Sequence, residues 1–285
     1  MAYREVAVTD GESGFSWTEA EKDLMEGIDT TVPHVARIWN YWLGGTDNYA
    51  VDRQLGDQIV SMLPDVPILA RASRAFLTRA VRYLAGEAGV RQFLDIGTGL
   101  PTVDNTHEVA QRVAPTSKVV YVDNDPLVLA HARALLTSAP EGATAYIHAD
   151  LREPEKILQK AAETLDFTRP IALMLMGIVE FLTDDDEAYQ VVGRLVEDLP
   201  SGSHMVMYDG TNVVHREASD QIVEVWNNSG NAPLVLRTPE QIGRFFNGLE
   251  LVEPGVVSVS RWRPEAKPWG EPDEVDAFGA IGRKT

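Results

Sequence analysis

The stretch Gln92-Phe93-Leu94-Asp95-Ile96-Gly97-Thr98-Gly99-Leu100-Pro101 constrains the fold of this chain more than any other segment. It reads as a buried strand that runs into an acidic side chain and then a tight glycine turn. Open α/β sheets present nucleotide-like ligands at such a place, the carboxyl end of the first strand. A second short strand, Lys118-Val119-Val120-Tyr121-Val122, ends on Asp123-Asn124-Asp125-Pro126. A carboxylate there can accept both hydroxyl protons of a ribose. The two strand ends together point to an adenosine-bearing cofactor.

The details decide which one. A dinucleotide fingerprint needs a third glycine, so that the next helix packs close and aims its N-terminus at a pyrophosphate. Here that position is Thr102, with Pro101 inside the turn, and the acidic strand end lies 26 residues after Gly97. The NAD pattern has roughly 20. A wider turn suits S-adenosylmethionine, which has no phosphate. Asp95 would repel a phosphate but can help hold an ammonium group. The candidate cofactor residues on these strand ends are Asp95, Gly97, Thr98, Gly99, Asp123 and Asn124. The duller reading, a plain strand-turn-helix, does not explain the second acidic strand end. Asp125 is the more natural cap for a helix starting at Pro126, which leaves Asp123 for the ribose.

Composition narrows the partners. The chain has 285 residues, is 44% apolar and contains no cysteine, so disulfides, thiolate zinc sites and a cysteine nucleophile are excluded. No second histidine stands at metal-ligand spacing from His107, so a metal is not expected. Neither a signal peptide nor a run of roughly 20 apolar residues is visible, and a cytoplasmic protein without membrane association is expected. The formal net charge of −18 opposes the phosphate neutralisation on which nucleic-acid affinity rests. A small molecule or a protein is therefore the expected partner, with a homodimer possible.

Residues 1–17 read as a loose arm. Residues 18–88 read as a helical extension over the cofactor site, with helices from Trp17 to Ile28, from near Pro33 to Trp42, from Val51 to Leu63 and from Ile68 to Ala85. Between the second and third, Tyr41-Trp42-Leu43-Gly44-Gly45-Thr46-Asp47-Asn48-Tyr49 looks like an aromatic lid that could favour a sulfonium and exclude water. Residues 89–285 form the cofactor-binding unit. Strands are expected at 92–96, 118–122, 144–148, 170–176 and 203–208, with helices at 105–113, 126–137, 154–164 and 184–198. This order argues for a parallel sheet covered on both faces. Helices near 217–228 and 239–247 follow, then strands 249–252 and 256–260. Glu253-Pro254-Gly255 should join those two into an antiparallel hairpin at one sheet edge.

Several motifs carry a family resemblance. They are Pro33-His34-x-Ala36-Arg37-x-Trp39-Asn40-Tyr41-Trp42-Leu43-Gly44-Gly45-x-Asp47-Asn48-Tyr49, Ala70-Arg71-Ala72-x-Arg74-Ala75-Phe76, the glycine-turn stretch extended to Thr102, Asn105-x-His107-Glu108-Val109, Tyr121-Val122-Asp123-Asn124-Asp125-Pro126 and Phe245-Phe246-x-Gly248-Leu249. From about Thr30 to Arg283 the chain resembles an actinobacterial family of S-adenosylmethionine-dependent methyltransferases first known as a domain of unknown function. The resemblance implies a class I, doubly wound, seven-stranded sheet, mostly parallel with a C-terminal antiparallel hairpin, and S-adenosylmethionine as cofactor. It also implies that Asp150 accepts from the adenine amino group while the Leu151 backbone reads the ring. A cap for the turn into Arg152-Glu153-Pro154 is the alternative role for Asp150. The chain departs from the family pattern at Glu180, where the family tends to carry a histidine.

Methyl transfer chiefly needs an oxygen, nitrogen or carbon nucleophile aligned with the methyl group, plus a base where the nucleophile must lose a proton. The candidates for that base are Glu180, Tyr49 and Asp47. Gly177 and Glu180 follow the fourth strand, at the edge where such sheets place ligands. Arg71 or Arg74 could pair with the methionine carboxylate, and His107 and Glu108 could face the site. The acidic run Asp184-Asp185-Asp186 reads as helix capping. Two other functions compete: a non-catalytic S-adenosylmethionine sensor, and an NAD-dependent oxidoreductase.

Overall fold

The structure is a computed structural model that describes residues 29–135, 137–265 and 270–285. The arm expected over 1–17 and the helix expected over 17–28 lie outside the described residues. Strands β1 (Gln92–Ile96), β2 (Lys118–Asp123), β3 (Ala143–His148), β4 (Ala172–Met176) and β5 (His204–Gly210) run parallel in the order 3-2-1-4-5. Every residue of β1 is buried, as a strand covered on both faces requires. The strand order reverses between β1 and β2 on one side and β4 on the other, which opens a crevice at their carboxyl ends.

Helices cover both faces. The extension contributes α1 (Val35–Trp42), α2 (Ala50–Met62) and α3 (Val66–Gly86). The alternating part contributes α4 (Thr106–Val113), α5 (Pro126–Leu135), α6 (Pro154–Ala161) and α7 (Asp185–Glu197). Helices α8 (Arg216–Asn227) and α9 (Pro239–Arg244) precede the sheet edge. One core layer packs α6, α7 and α9 on the sheet through Ile157, Leu195 and Ile242. The other packs Phe76, Ala80 and Leu84 of α3 on Phe93, Met174 and Val206. Among the described residues no helix is long and apolar enough to cross a membrane.

The antiparallel end of the sheet differs in its pairing from the hairpin expected over 249–260. Strands β6 (Glu250–Leu251) and β7 (Val257–Ser258) do not pair with each other. Both pair antiparallel with a further strand, β8 (Ala277–Arg283), which itself lies along the whole of β5. Leu251 faces Gly282 and Val257 faces Gly279, so Glu253-Pro254-Gly255 loops out of one interrupted edge strand instead of reversing the chain. Counting that interrupted strand once gives seven positions. Strand β8 carries glycines that read as turn residues. They are strand residues because a Cβ on Gly279 would strike Tyr208, and one on Gly282 would strike Phe246.

Candidate active site

The crevice at the strand ends holds a cavity whose floor is the glycine turn. The Gly97 and Thr98 amides both donate to the Val122 carbonyl, at 2.8 and 3.4 Å, which ties the turn to β2. Gly97 has φ 75° and its missing side chain leaves space for Ile178, whose Cγ1 would lie 2.5 Å from a Cβ. Gly99 has φ 67° and nothing within 4 Å of where its Cβ would be, so its backbone is open to a ligand. Asp95 lines the same cavity and accepts from Thr106 Oγ1 at 2.6 Å. Burial pushes its carboxyl up to about 6, although Thr106 and Arg74 oppose the shift.

Asp123 closes β2 beside this turn. Its Oδ2 accepts from the Gly99 amide at 3.0 Å and its Oδ1 from the Asp125 amide at 2.9 Å. Burial pushes this carboxyl up to about 6 as well. Each oxygen keeps a lone pair, so a hydroxyl donor in the cavity can share it. Asp125 does the capping, accepting from the Leu127 amide at 2.8 Å. Its other oxygen lies 3.1 Å from His34 Nδ1, which joins α1 to the β2 end.

Helix α1 roofs the cavity with His34, Ala36, Trp39 and Asn40. Its position is fixed from below by a buried ion pair, Arg37 Nε to Asp52 Oδ2 at 3.0 Å. Asp52 also accepts from the His34 and Tyr49 amides, so one carboxylate holds the starts of both α1 and α2. Ser73 and Arg74 of α3, with Gly177, Ile178 and Tyr208, complete the lining. Gly177 has φ 69°, and a Cβ there would lie 2.9 Å from the Tyr208 hydroxyl oxygen.

A second cavity adjoins the first. Val35, Trp39, Phe181 and Tyr208 line both. Its other walls are mostly apolar, from Trp42 of α1, Ile59 of α2, and Ile222 and Trp226 of α8. Glu180 enters this wall from a single 3-10 turn, Val179–Phe181, directly after β4. Its Oε2 accepts from the Gly210 amide at 2.8 Å. Behind it Asp209 accepts from the Glu180 amide at 3.2 Å and from Arg237 Nη1 at 3.2 Å. Arg237 is fully buried and also donates to the carbonyls of Val179 and Leu182 and to Asp185. Burial raises the carboxyl of Glu180 to about 7 and that of Asp209 well above its usual range. The guanidinium bonds Asp209 and not Glu180, and it offsets only part of the cost of burying both carboxyls, so both are held up.

Residues 21–285 match the S-adenosyl methyltransferase family. The chain belongs to that family. A DUF574-family protein from Streptomyces avermitilis is 46% identical, with a TM-score of 0.86, over 90% of this chain and 99% of that one. A candidate methyltransferase from Thermobifida fusca is 42% identical, with a TM-score of 0.83, over 90% of this chain and 97% of that one. No curated protein matches. The protein is an S-adenosylmethionine-dependent methyltransferase, which removes the NAD reading.

The sequence candidates of this methyltransferase fall into two groups. Asp95, Gly97, Thr98, Gly99, Asp123, Asn124 and Gly177 all line the first cavity. Asp150 stands just outside it, at the end of β3, and accepts from Asn124 Nδ2 at 3.1 Å and from the Arg152 amide at 2.9 Å. The Leu151 side chain is buried in the core under α6. Glu180 lines the second cavity, while Asp47 and Tyr49 line neither. The Tyr49 ring lies under the Arg37 guanidinium at 5.1 Å from its centre. The aromatic, glycine-rich segment is braced by Asn48 Nδ2 on Asn40 Oδ1 at 2.9 Å, and Asn40 fills the space a Cβ on Gly45 would need. The first residues of that segment reach the cavities, Leu43 the first and Trp42 the second, while residues 44–49 line neither. Arg71 is exposed in a separate surface groove, and Arg74, one helical turn on, lines the cofactor cavity. His107 instead bonds the Tyr121 hydroxyl at 2.9 Å, and Glu108 caps α4 through the Asn105 amide. Sequence reasoning missed His34, Asp209 and Arg237. A lone arginine in the apolar run Leu234-Val235-Leu236-Arg237 was the signal for the last.

Proposed function

We propose that this methyltransferase transfers the methyl group of S-adenosylmethionine to a small-molecule acceptor. The cofactor occupies the glycine-turn cavity and the acceptor the adjoining apolar cavity. The observation that carries this reading is the shared wall of Val35, Trp39, Phe181 and Tyr208, which makes the two cavities meet. The residues present fit the cofactor. Gly99 leaves room for close approach, Asp123 offers carboxylate lone pairs to ribose hydroxyls, and Arg74 is the cation within reach of a carboxylate in this cavity. Bound there, the sulfonium supplies an electrophilic methyl group, and the chain has only to align a nucleophile and exclude water. The net charge of −18 disfavours a nucleic-acid acceptor. A recess between four helices favours a small molecule over a folded protein surface.

Calorimetric titration with S-adenosylmethionine, S-adenosylhomocysteine and NAD tests the cofactor assignment. Micromolar binding of the first two, about −8 kcal/mol, and at least a hundredfold loss in Asp123→Ala are expected. Asp123→Asn keeps the side-chain shape and separates loss of the carboxylate from loss of the turn. Unchanged affinity in both variants would overturn the assignment of Asp123.

A further inference from the structure

We infer that the acceptor is a planar aromatic molecule carrying a hydroxyl group, which it presents to Glu180 for deprotonation as its oxygen takes the methyl group. This rests on the reading of the two cavities given above and specifies the occupant of the second.

The walls select the shape. Trp39, Trp42, Phe181 and Trp226 offer aromatic surface from α1, the 3-10 turn and α8. Aromatic walls favour flat rings through offset and edge-to-face contacts. The polar groups select the functional group. Asp276 also reaches this cavity, but its two oxygens already accept from the Val214 and His215 amides and from His215 Nδ1. That carboxylate is committed to holding the loop before α8. Glu180 differs: the hydrogen bond it accepts, from the Gly210 amide, falls on Oε2. Tyr208, its neighbour on the shared wall, stands at the junction with the cofactor cavity.

The chemistry separates hydroxyl from amine. An alkylamine is protonated near neutral pH, has no free electron pair and would enter an apolar space next to the cationic cofactor. An arylamine is neutral but attacks before losing a proton, and leaves a base in this wall without a task. A phenol-type hydroxyl enters neutral, with a pKa of about 10. A carboxylate held near neutrality by burial is a far better matched base for it than an ordinary surface carboxylate. In the step itself the acceptor oxygen bonds to the methyl carbon while the carbon–sulfur bond breaks and its electron pair stays on sulfur. The hydroxyl proton passes to Glu180 and leaves to solvent when the methyl ether departs. The groups that face Glu180 are Tyr208, Asp209 and the Gly210 amide from β5, and Arg237 from the segment before α9. Asp209 and Arg237 therefore set the pH at which Glu180 can accept that proton.

The test uses the full chain saturated with S-adenosylhomocysteine. It is titrated with hydroxylated one-, two- and three-ring aromatics, their amine and carboxylic acid counterparts and the unsubstituted hydrocarbons, followed by calorimetry and tryptophan fluorescence. Hydroxyarenes are expected to bind, quench the fluorescence and be methylated when S-adenosylmethionine replaces the product. Ile222→Trp, which fills the cavity from α8, should weaken their binding at least tenfold and leave the affinity for S-adenosylhomocysteine within twofold. Val223→Phe repeats the test from the same helix if the first variant does not fold. Glu180→Gln should lower kcat at least a hundredfold, change KM less than threefold and remove the acidic limb of the kcat–pH profile. Binding of S-adenosylhomocysteine with no hydroxyarene bound or methylated, or an acidic limb that survives in Glu180→Gln, would overturn this inference alone. Failure to bind S-adenosylhomocysteine would overturn the reading of the cofactor cavity on which it rests.

Discussion

The two cavities are built by opposite strategies. The cofactor cavity takes its floor from two neighbouring strand ends, β1 and β2, and from the turns that directly follow them. Its shape is set by backbone: two left-handed glycines and amides pinned to Val122 and Asp123. The second cavity is made from side chains delivered by α1, α2, α3, α8, the 3-10 turn and β5. The turn that carries its Glu180 is held in place by a buried ion network that spans more than fifty residues of sequence, from Val179 to Arg237. A floor made of backbone is fixed by local rules. A wall made of distant side chains can be re-tailored one residue at a time.

That contrast breaks most visibly at Arg237. Arg237→Ala leaves Asp209 buried without its guanidinium, and loss of about 3–5 kcal/mol is expected, read as a lowered midpoint in chemical denaturation. Cofactor affinity in the surviving folded fraction should stay near that of the parent. Gly97→Ala attacks the other cavity and should cost about 2–4 kcal/mol, from left-handed backbone strain and the clash with Ile178. Gly99→Ala keeps only the strain, about 1–2 kcal/mol, yet its loss of cofactor affinity should exceed its loss of stability. Equal losses in the two glycine variants would mean that the backbone of Gly99 does not face the ligand.

A smaller effect distinguishes the cavities by pH. Asp95 and Asp123 are each raised from 3.8 to about 6 by burial. A carboxyl raised on folding contributes stability while protonated, so this contribution is complete below pH 3.8 and is lost as pH rises through about 6. Cofactor binding runs the other way, because hydroxyl and ammonium donors need the carboxylate. Affinity for S-adenosylhomocysteine should fall about tenfold, ~1.4 kcal/mol, between pH 7 and pH 5. Thermal unfolding of free and saturated protein across that range should show the ligand-induced stabilisation widening as pH rises. The smallest effects belong to residues outside both cavities. Tyr49→Phe and Arg71→Ala should each change stability by less than ~0.5 kcal/mol and leave turnover unchanged, while Arg74→Ala should raise the KM for the cofactor.

What the sequence revealed follows the same division. Strand β1 spans the residues 92–96 expected of it, Asp125 caps the following helix as its position suggests, and Asp123 closes β2 against the glycine turn, because local pattern and backbone geometry decide all three. Glu180 was visible for the same reason, as a polar residue one turn past a buried strand. Asp209 and Arg237 were not, since nothing local pairs a residue at the end of β5 with one before α9. Strand β8 was hidden by its glycines, whose purpose is to fit beneath Tyr208 and Phe246 from other elements. The segment from Tyr41 to Tyr49 divides: Leu43 lines the first cavity and Trp42 the second, while the unusual composition of residues 44–48 serves the Asn40–Asn48 brace.

Helix α1 contributes to both cavities at once, with Trp39 standing in each, and it has several moorings: to Asp125 through His34, to Asp52 through Arg37, and to Leu100, Leu127 and Val128 through Ala36. It is a party wall between two rooms. A change at Trp39 is felt in both, so neither room can be refurnished there without disturbing the other.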